Sequence, residues 1–280
     1  MVAPLSIWWI RIILFGGWVS GGMVLLLTLS PDVATVQVAM SLYLAGGVLG
    51  IELLRPGGSF FTSGLGLTPR APMSALVGGG LALGALALIA GTATLMGASF
   101  VPGTSIVVWY GVLGLVSQSV AEEFLFRGTL LEALRERFGS MVAVAITALL
   151  FGLAHGTNPG ASPIAVANVI LAGVLLGMMV VRSGSLWMAM VFHAVWNVSA
   201  AAFFGTVSGV GSAGWLCTLE TQSMPDEMVW FVTGTFGIEQ GVITMIVLVA
   251  GIVVVNGWVS MDRAVGAARI RRSRREGRSS

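Results

Sequence analysis

The stretch Ser119–Ser140, SVAEEFLFRGTLLEALRERFGS, places two adjacent glutamates and an arginine at the end of an apolar run. The run covers residues 106–121 almost without interruption, and the charged residues are Glu122, Glu123 and Arg127. An ionisable side chain at membrane depth costs about 2.5–3.5 kcal/mol or more, and by default it indicates a function. Three of them in so apolar a setting therefore require a structural or a chemical explanation.

The composition around this stretch is that of a membrane protein. Of 280 residues, 56% are hydrophobic and only 9% are charged, whereas a soluble domain carries about 25% charged residues. The chain has one cysteine, Cys217, which excludes an internal disulfide, and it contains no zinc-finger or Cys-x-x-Cys pattern. The composition therefore predicts an integral membrane protein with several spans.

Hydropathy divides the chain into membrane spans separated by turn sequences. A spanning helix needs about 20 apolar residues to cross a hydrocarbon core of about 30 Å. Eight segments meet this requirement: 7–29, 33–54, 74–98, 106–134, 140–157, 163–181, 185–205 and 242–260. The predicted fold class is an all-α integral membrane protein, a bundle of about eight transmembrane helices in the lipid bilayer of a cell membrane.

The predicted organisation has four parts. Residues 1–105 hold the first three spans, and residues 106–205 form a core of four spans that carries the polar motifs. Residues 206–241 form a long loop, and residues 242–280 hold the last span and a basic tail.

The arginines are distributed unevenly among the connections of these spans. They follow the second, fourth and sixth spans, and seven more fill residues 263–278 after the eighth. Segment 206–241 contains acidic residues and no arginine. Since cytoplasmic loops are enriched in basic residues, both termini are predicted to be cytoplasmic and 206–241 to be extracytoplasmic. The tail is interpreted as a disordered topology anchor near anionic lipid rather than a nucleic-acid-binding segment.

The two glutamates of the opening stretch face different sides of their helix. Glu123 and Arg127 are four residues apart, so they share a face and can pair. Glu122 is rotated from Glu123 by about 100°, so it can face elsewhere. A Glu–Arg pair inside a bundle is often only structural, which leaves Glu122 as the carboxylate available for chemistry.

The two histidines of the chain both fall within predicted spans. Phe151 and His155 lie one turn apart at the end of the fifth span, and His193 and Asn197 lie one turn apart in the seventh. Individually, a membrane histidine often only binds a neighbouring backbone group, Asn197 can join two helices, and Phe151 is interpreted as packing. Together, three helices offer a carboxylate, an imidazole, and an imidazole with a carboxamide.

These groups suit the hydrolysis of an amide by an activated water. A desolvated carboxylate such as Glu122, with an imidazole beside it, can polarise a water as general base. The amide hydrogens of Asn197 and an N–H of His193 can donate to a developing oxyanion. The residues therefore favour a hydrolase over a purely structural membrane protein.

At these positions the sequence resembles the CPBP family of intramembrane proteases, also called the Abi or CAAX-protease family. The family pattern is Glu-Glu-x3-Arg, then Phe-x3-His, then His-x3-Asn or Asp. The chain matches it as EEFLFR at 122–127, FGLAH at 151–155 and HAVWN at 193–197, in this order on separate predicted spans. The resemblance covers about residues 106–205.

The resemblance implies an eight-helix glutamate protease that uses no metal and no other cofactor. If the matching motif positions have the roles that they have in the family, Glu122 and His155 activate the water, and His193 with Asn197 forms the oxyanion site. The remaining motif positions have supporting roles: Glu123, Arg127 and Phe151. The implied partner is a membrane-associated protein or peptide that serves as substrate, which the resemblance does not identify further.

The depth of these residues leaves the side of access open. At about 1.5 Å per residue, Glu122 and Asn197 lie roughly 18–20 Å from the predicted cytoplasmic ends of their spans. His155 lies roughly 24 Å from the cytoplasmic end of its own span by the same measure. The resemblance favours an opening to the cytoplasm or to the lipid.

Two other functions remain open at the level of the sequence. One is a membrane binding protein, such as an immunity factor that acts without proteolysis. The other is a metal-dependent hydrolase or transporter, with Glu122, His155 and His193 as zinc ligands. The sequence contains no His-Glu-x-x-His motif and no cysteine within the predicted spans, so it favours the protease without a metal.

Overall fold

The computed structural model describes residues 71–103, 109–211 and 214–257, together with Gly46. The first two predicted spans, 7–29 and 33–54, and the basic tail lie outside these residues. The described part is mostly α-helical, which confirms the predicted all-α class at that level.

The described helices follow the predicted spans closely in position, apart from one short helix in the predicted loop 206–241. They are α1 (Ala71–Leu95), α2 (Trp109–Glu123), α3 (Leu131–Phe138), α4 (Ser140–His155), α5 (Pro163–Ser183), α6 (Leu186–Phe203), α7 (Asp226–Val232) and α8 (Val242–Gly257). One prediction differs in kind. The segment predicted as a single span over 106–134 continues to Phe138, and a π-helical segment, Phe124–Leu130, joins α2 to α3.

Three of the described helices, α1, α5 and α6, are long and apolar enough to cross a membrane by length and composition. The helices α4 and α8 are apolar but shorter. The count of eight spans stays a prediction.

The turn that joins α5 to α6 shows why these helices end where they do. Gly184 adopts the left-handed conformation, with φ of 66°, which glycine reaches without steric cost and which commonly ends a helix. Ser185 then starts α6, because its side chain accepts a hydrogen bond from the Trp187 backbone N–H. At the other end of α5, Ser162 caps the helix and Pro163 occupies the first turn.

Small residues let the helices approach one another closely. Helix α1 packs along α6, and α4 packs along α5. A Cβ added to Gly78 would lie 2.2 Å from the carbonyl oxygen of Met188, and one added to Gly173 would lie 2.8 Å from the Cα of Ala148. Such small-residue contacts are typical of helix packing in membranes.

Residues 206–241, here called the cap, contain secondary structure of their own. Strand β1 (Ser99–Pro102) pairs antiparallel with β4 (Cys217–Glu220), and β2 (Thr206–Val207) forms a hairpin with β3 (Val210–Gly211). The cap also holds α7 and a 3-10 turn, Ile238–Gln240. The segment predicted as a plain loop is therefore a folded layer over one end of the bundle.

Candidate active site

The π-helical segment begins directly after Glu123. Such segments are rare, and they are frequent at functional sites because the wider turn changes the direction of the side chains. Arg127 lies within it and is fully buried. Sequence periodicity contained no signal for this change of helix type.

Glu123 and Arg127 form the buried pair that their spacing predicts. Arg127 Nη1 lies 2.7 Å from Glu123 Oε1, and both side chains are 0% exposed. Arg127 Nη2 also donates to the carbonyl of Gly173 on α5, at 3.2 Å. The guanidinium carbon lies 4.5 Å from the ring centre of Phe151. The pair thus joins the π-helical segment to both α4 and α5.

His193 lies between the two glutamates. Its Nδ1 is 2.9 Å from Glu123 Oε1, and its Nε2 is 3.7 Å from Glu122 Oε2. The sequence places the two glutamates on different sides of their helix, because adjacent positions point about 100° apart. One His193 ring nevertheless reaches both carboxylates, since its two nitrogens point in different directions.

His155 approaches Glu122 from α4. Its Nδ1 lies 2.8 Å from the carbonyl oxygen of Phe151, which only accepts, so Nδ1 carries the proton of that hydrogen bond. Its Nε2 then faces Glu122 Oε2, at 4.0 Å. The Phe151 ring lies beside both imidazoles, with ring centres 4.6 Å from His155 and 5.8 Å from His193. Phe151 therefore packs, as predicted, and it also holds the two imidazoles in place.

Two polar residues that the sequence reasoning missed complete the contacts. Gln118 Nε2 donates to Glu122 Oε1 at 2.8 Å, and Asn197 Nδ2 donates to Ser119 Oγ at 3.1 Å. Gln118 and Ser119 each lie four residues before a glutamate of the motif, so each shares a helix face with it. That spacing is a signal that could have identified them.

A cavity of about 40 Å³ lies beside these groups. His155, His193 and Asn197 contribute to its wall, and the cap contributes Ser208 and Glu239. One water needs about 10–15 Å³ in this measure, so the cavity has room for water. Glu239 was not predicted to belong to the site, and nothing in the spacing of the cap indicated it.

Glu239 is a buried carboxylate held by neutral donors. Trp196 Nε1 donates to its Oε1 at 3.1 Å, and the backbone N–H of Ser208 donates to its Oε2. Its exposed fraction is 8%. The structure therefore brings all seven predicted site residues together and adds a carboxylate from the cap.

The described residues include no group of three or more His, Cys, Asp or Glu side chains arranged to hold a metal ion.

Residues 104–199 match a family model described as type II CAAX prenyl endopeptidase, Rce1-like. The match contains the three motifs and ends before the cap. It confirms the predicted family resemblance over this segment. None of the curated proteins compared with the chain matches it.

Proposed function

We propose that the chain is an intramembrane endopeptidase that hydrolyses a peptide bond of a membrane-associated protein or peptide. The family match implies a protease. In the proposal, Glu122 and His155 activate the attacking water, and His193 with Asn197 binds the oxyanion. The reaction needs neither a metal nor another cofactor.

One observation carries the proposal: three acceptor atoms converge on one gap. Glu122 Oε2 is buried and accepts no hydrogen bond from any described residue. It faces the Nε2 atoms of His193 and His155 at 3.7 Å and 4.0 Å. The Nδ1 hydrogen of each ring is committed elsewhere, so a neutral ring presents a lone pair here. Facing acceptors require a donor between them, and a water supplies two hydrogens.

The same contacts support a sequence of proton transfers. A water held by Glu122 and His155 loses a proton to Glu122 as its oxygen attacks the peptide carbonyl. The oxyanion accepts from the amide of Asn197, whose other hydrogen is directed to Ser119, and from Nε2–H of His193. In this step His193 has taken up a proton from solvent, and it returns that proton when the tetrahedral intermediate collapses and the C–N bond breaks. Glu123 accepts from Nδ1–H of that ring and so stabilises the imidazolium. The proton on Glu122 then passes to the leaving amine.

The arrangement corrects one detail of the oxyanion site. The sequence reasoning used any N–H of His193 as donor, but the structure commits Nδ1 to Glu123. Nε2 faces Glu122 Oε2, so in the proposal His193 donates to an oxyanion only in its charged form. This gives Glu123 a positioning role in addition to its pair with Arg127.

The proposal includes the membrane setting. We propose eight spans, both termini in the cytoplasm, and a bacterial cell membrane as the location. The distribution of arginine supports the orientation. In the proposal, residues 106–205 form the catalytic core, between the first three spans and the cap.

The experiment compares the peptides of membrane and secreted fractions between cells with the wild-type protein and cells with Glu122→Gln. Glutamine keeps the shape of the side chain but is not a base, and loss of a general base lowers the rate by roughly 10²–10⁴-fold. Peptides cut only in wild-type cells are the expected result. Glu136→Gln, an exposed glutamate of α3, is the matched control and keeps wild-type cleavage. The result points instead to a binding protein if the folded Glu122→Gln variant preserves every cleavage. It does so too if cells with this variant keep the phenotype of cells with the wild-type protein.

A further inference from the structure

The cap descends into the helix bundle. Trp196, which binds Glu239, lies seven residues before the end of α6 at Phe203, or about 10 Å along the helix. Asn168 of α5 donates to the carbonyls of Glu239 and Gly241 at 2.8 Å and 2.9 Å. Non-helical backbone at such depth is tolerated only where it is buried in protein or lines a water-filled cavity.

The early end of α4 provides the space that the cap enters. Helix α4 ends at His155, and the turn that follows it binds the cap directly. Asn158 Nδ2 donates to the carbonyl of Ser208 at 3.1 Å, and Thr235 Oγ1 donates to the carbonyl of Gly160 at 3.1 Å. The cap therefore stands above the end of α4, where it forms the polar wall of the cavity.

The opposite side of the site is a packed layer. The Glu123–Arg127 pair is 0% exposed and is followed, toward the α3–α4 and α5–α6 turns, by apolar side chains that are also 0% exposed. These are Leu131, Met179 and Leu186. Among the described residues, no polar lining of the cavity comes from this side. Among the described residues, the polar lining of the cavity beyond the three motifs therefore comes from the cap.

Charge assigns the two sides to the two faces of the membrane. The α3–α4 hairpin carries Arg135 and Arg137, and Arg182 lies in the last turn of α5. The cap carries acidic residues and no arginine. Basic residues mark the cytoplasmic side, so the cap is extracytoplasmic.

We infer that the cavity opens to the extracytoplasmic side, beneath the cap, so that water and substrate enter from there. This differs from the cytoplasmic or lipid opening that the resemblance favours. The substrate class, which rests on the proposed function, is then a peptide segment exposed at the outer face of the membrane, such as part of a secreted or membrane-anchored protein.

The depths of Glu122 and His155 agree with each other once the helix bounds are corrected. Glu122 lies sixteen residues before Phe138, or about 24 Å from the α3–α4 turn. His155 lies fifteen residues after Ser140, or about 22 Å from the same turn. Both are therefore far from this arginine-bearing turn, as an opening on the cap side requires.

The single cysteine of the chain makes the inference testable. Cys217 lies in β4 of the cap and reports on that side in the wild-type protein. In a Cys217→Ser background, Ala172→Cys places a thiol on the α5 wall of the cavity, and Ser140→Cys places one at the α3–α4 turn. Val169→Cys is a second cavity reporter, used if the first does not fold.

Each variant is treated with a small, charged, membrane-impermeant methanethiosulfonate, once in intact cells and once in inside-out vesicles, and the mass shift is read. We expect Cys217 and the cavity thiol to react in intact cells, and the thiol at position 140 only in vesicles. A cavity thiol that reacts only in vesicles, or in neither preparation, overturns the inference, and so does a Cys217 that reacts only in vesicles.

The labelling does not depend on turnover. A cavity that opens outward in a protein without cleavage activity contradicts the proposed protease and leaves the inference standing. A cavity that opens to the cytoplasm in a protein that cleaves peptides overturns the inference and leaves the proposed protease standing.

Discussion

Glu123 Oε1 accepts two hydrogen bonds, one from Arg127 at 2.7 Å and one from His193 at 2.9 Å. A carboxylate that is fully buried at membrane depth is stable only when charged or polar groups compensate it. Here the compensation is shared between a permanent cation and an imidazole of the proposed oxyanion site. The stability of the bundle and the orientation of His193 therefore depend on the same atom.

Replacing Arg127 tests the structural half of this arrangement. Arg127→Ala leaves Glu123 without its cation, and breaking a buried pair costs about 3–5 kcal/mol. We expect a large loss of folded protein in detergent, measured by thermal melting and gel filtration. The double variant Glu123→Gln with Arg127→Met removes both charges and should recover part of that stability.

The double variant also separates the two roles of Glu123. Since a neutral glutamine at this position would no longer stabilise a charged His193, the variant should fold better than Arg127→Ala and still have low activity. Full activity in the double variant would contradict a role of Glu123 toward His193. It would leave Glu123 with only a structural role, the neutralisation of Arg127.

A second residue-scale prediction concerns metals. Because carboxylate and imidazole groups activate the water in the proposal, turnover should persist in EDTA and in phenanthroline. The measurement is cleavage of a substrate identified from the peptide comparison, with metal content determined on the same sample. Loss of turnover that added zinc restores would favour Glu122, His155 and His193 as ligands.

At the scale of elements, the contact between α1 and α6 depends on one glycine. A Cβ at Gly78 would lie 2.2 Å from the Met188 carbonyl oxygen, and a backbone atom cannot rotate away as a side chain can. Gly80, two residues later on the same helix, is exposed, and no atom of the described residues lies within 4 Å of a Cβ added there.

These two glycines give a matched pair of variants. Gly78→Ala should separate the helices and destabilise the protein by about 1–3 kcal/mol, as overpacking does. Gly80→Ala should be neutral or stabilising, because alanine is favoured over glycine in a helix by up to about 1 kcal/mol. Thermal melting in detergent checks both. Equal melting temperatures for the two variants would contradict this packing.

At the scale of the whole molecule, the arginine distribution predicts the orientation. A protease-sensitive tag after Ser280 should be protected in intact cells and cleaved in inside-out vesicles, because the basic tail follows the positive-inside rule. Digestion of the tag from outside would reverse the orientation. It would also place the cap in the cytoplasm.

Much of the molecule was predictable because it depends on local spacing. The apolar segments predict most described helices to within a few residues, since a span needs a fixed length of apolar sequence. The i,i+4 spacing predicts the Glu123–Arg127 pair for the same reason. The three motifs predict the family resemblance, and the match over residues 104–199 confirms it for that segment.

The tertiary structure alone decided how these parts meet. His193 and Glu123 are 70 residues apart, and helix periodicity says nothing about a partner on another helix. The tertiary structure likewise places Asn197 against Ser119 and aligns the depth of His155 with that of Glu122.

The cap shows the same division most clearly. Its composition predicts a polar loop with acidic residues, and the sequence determines no more than that. Glu239 reaches the cavity only because α4 ends early and Trp196 and Asn168 supply donors within the bundle. Glu239 therefore belongs to the site only through contacts between segments that are distant in the sequence. Burial and hydrogen bonding establish such contacts only when the chain is folded.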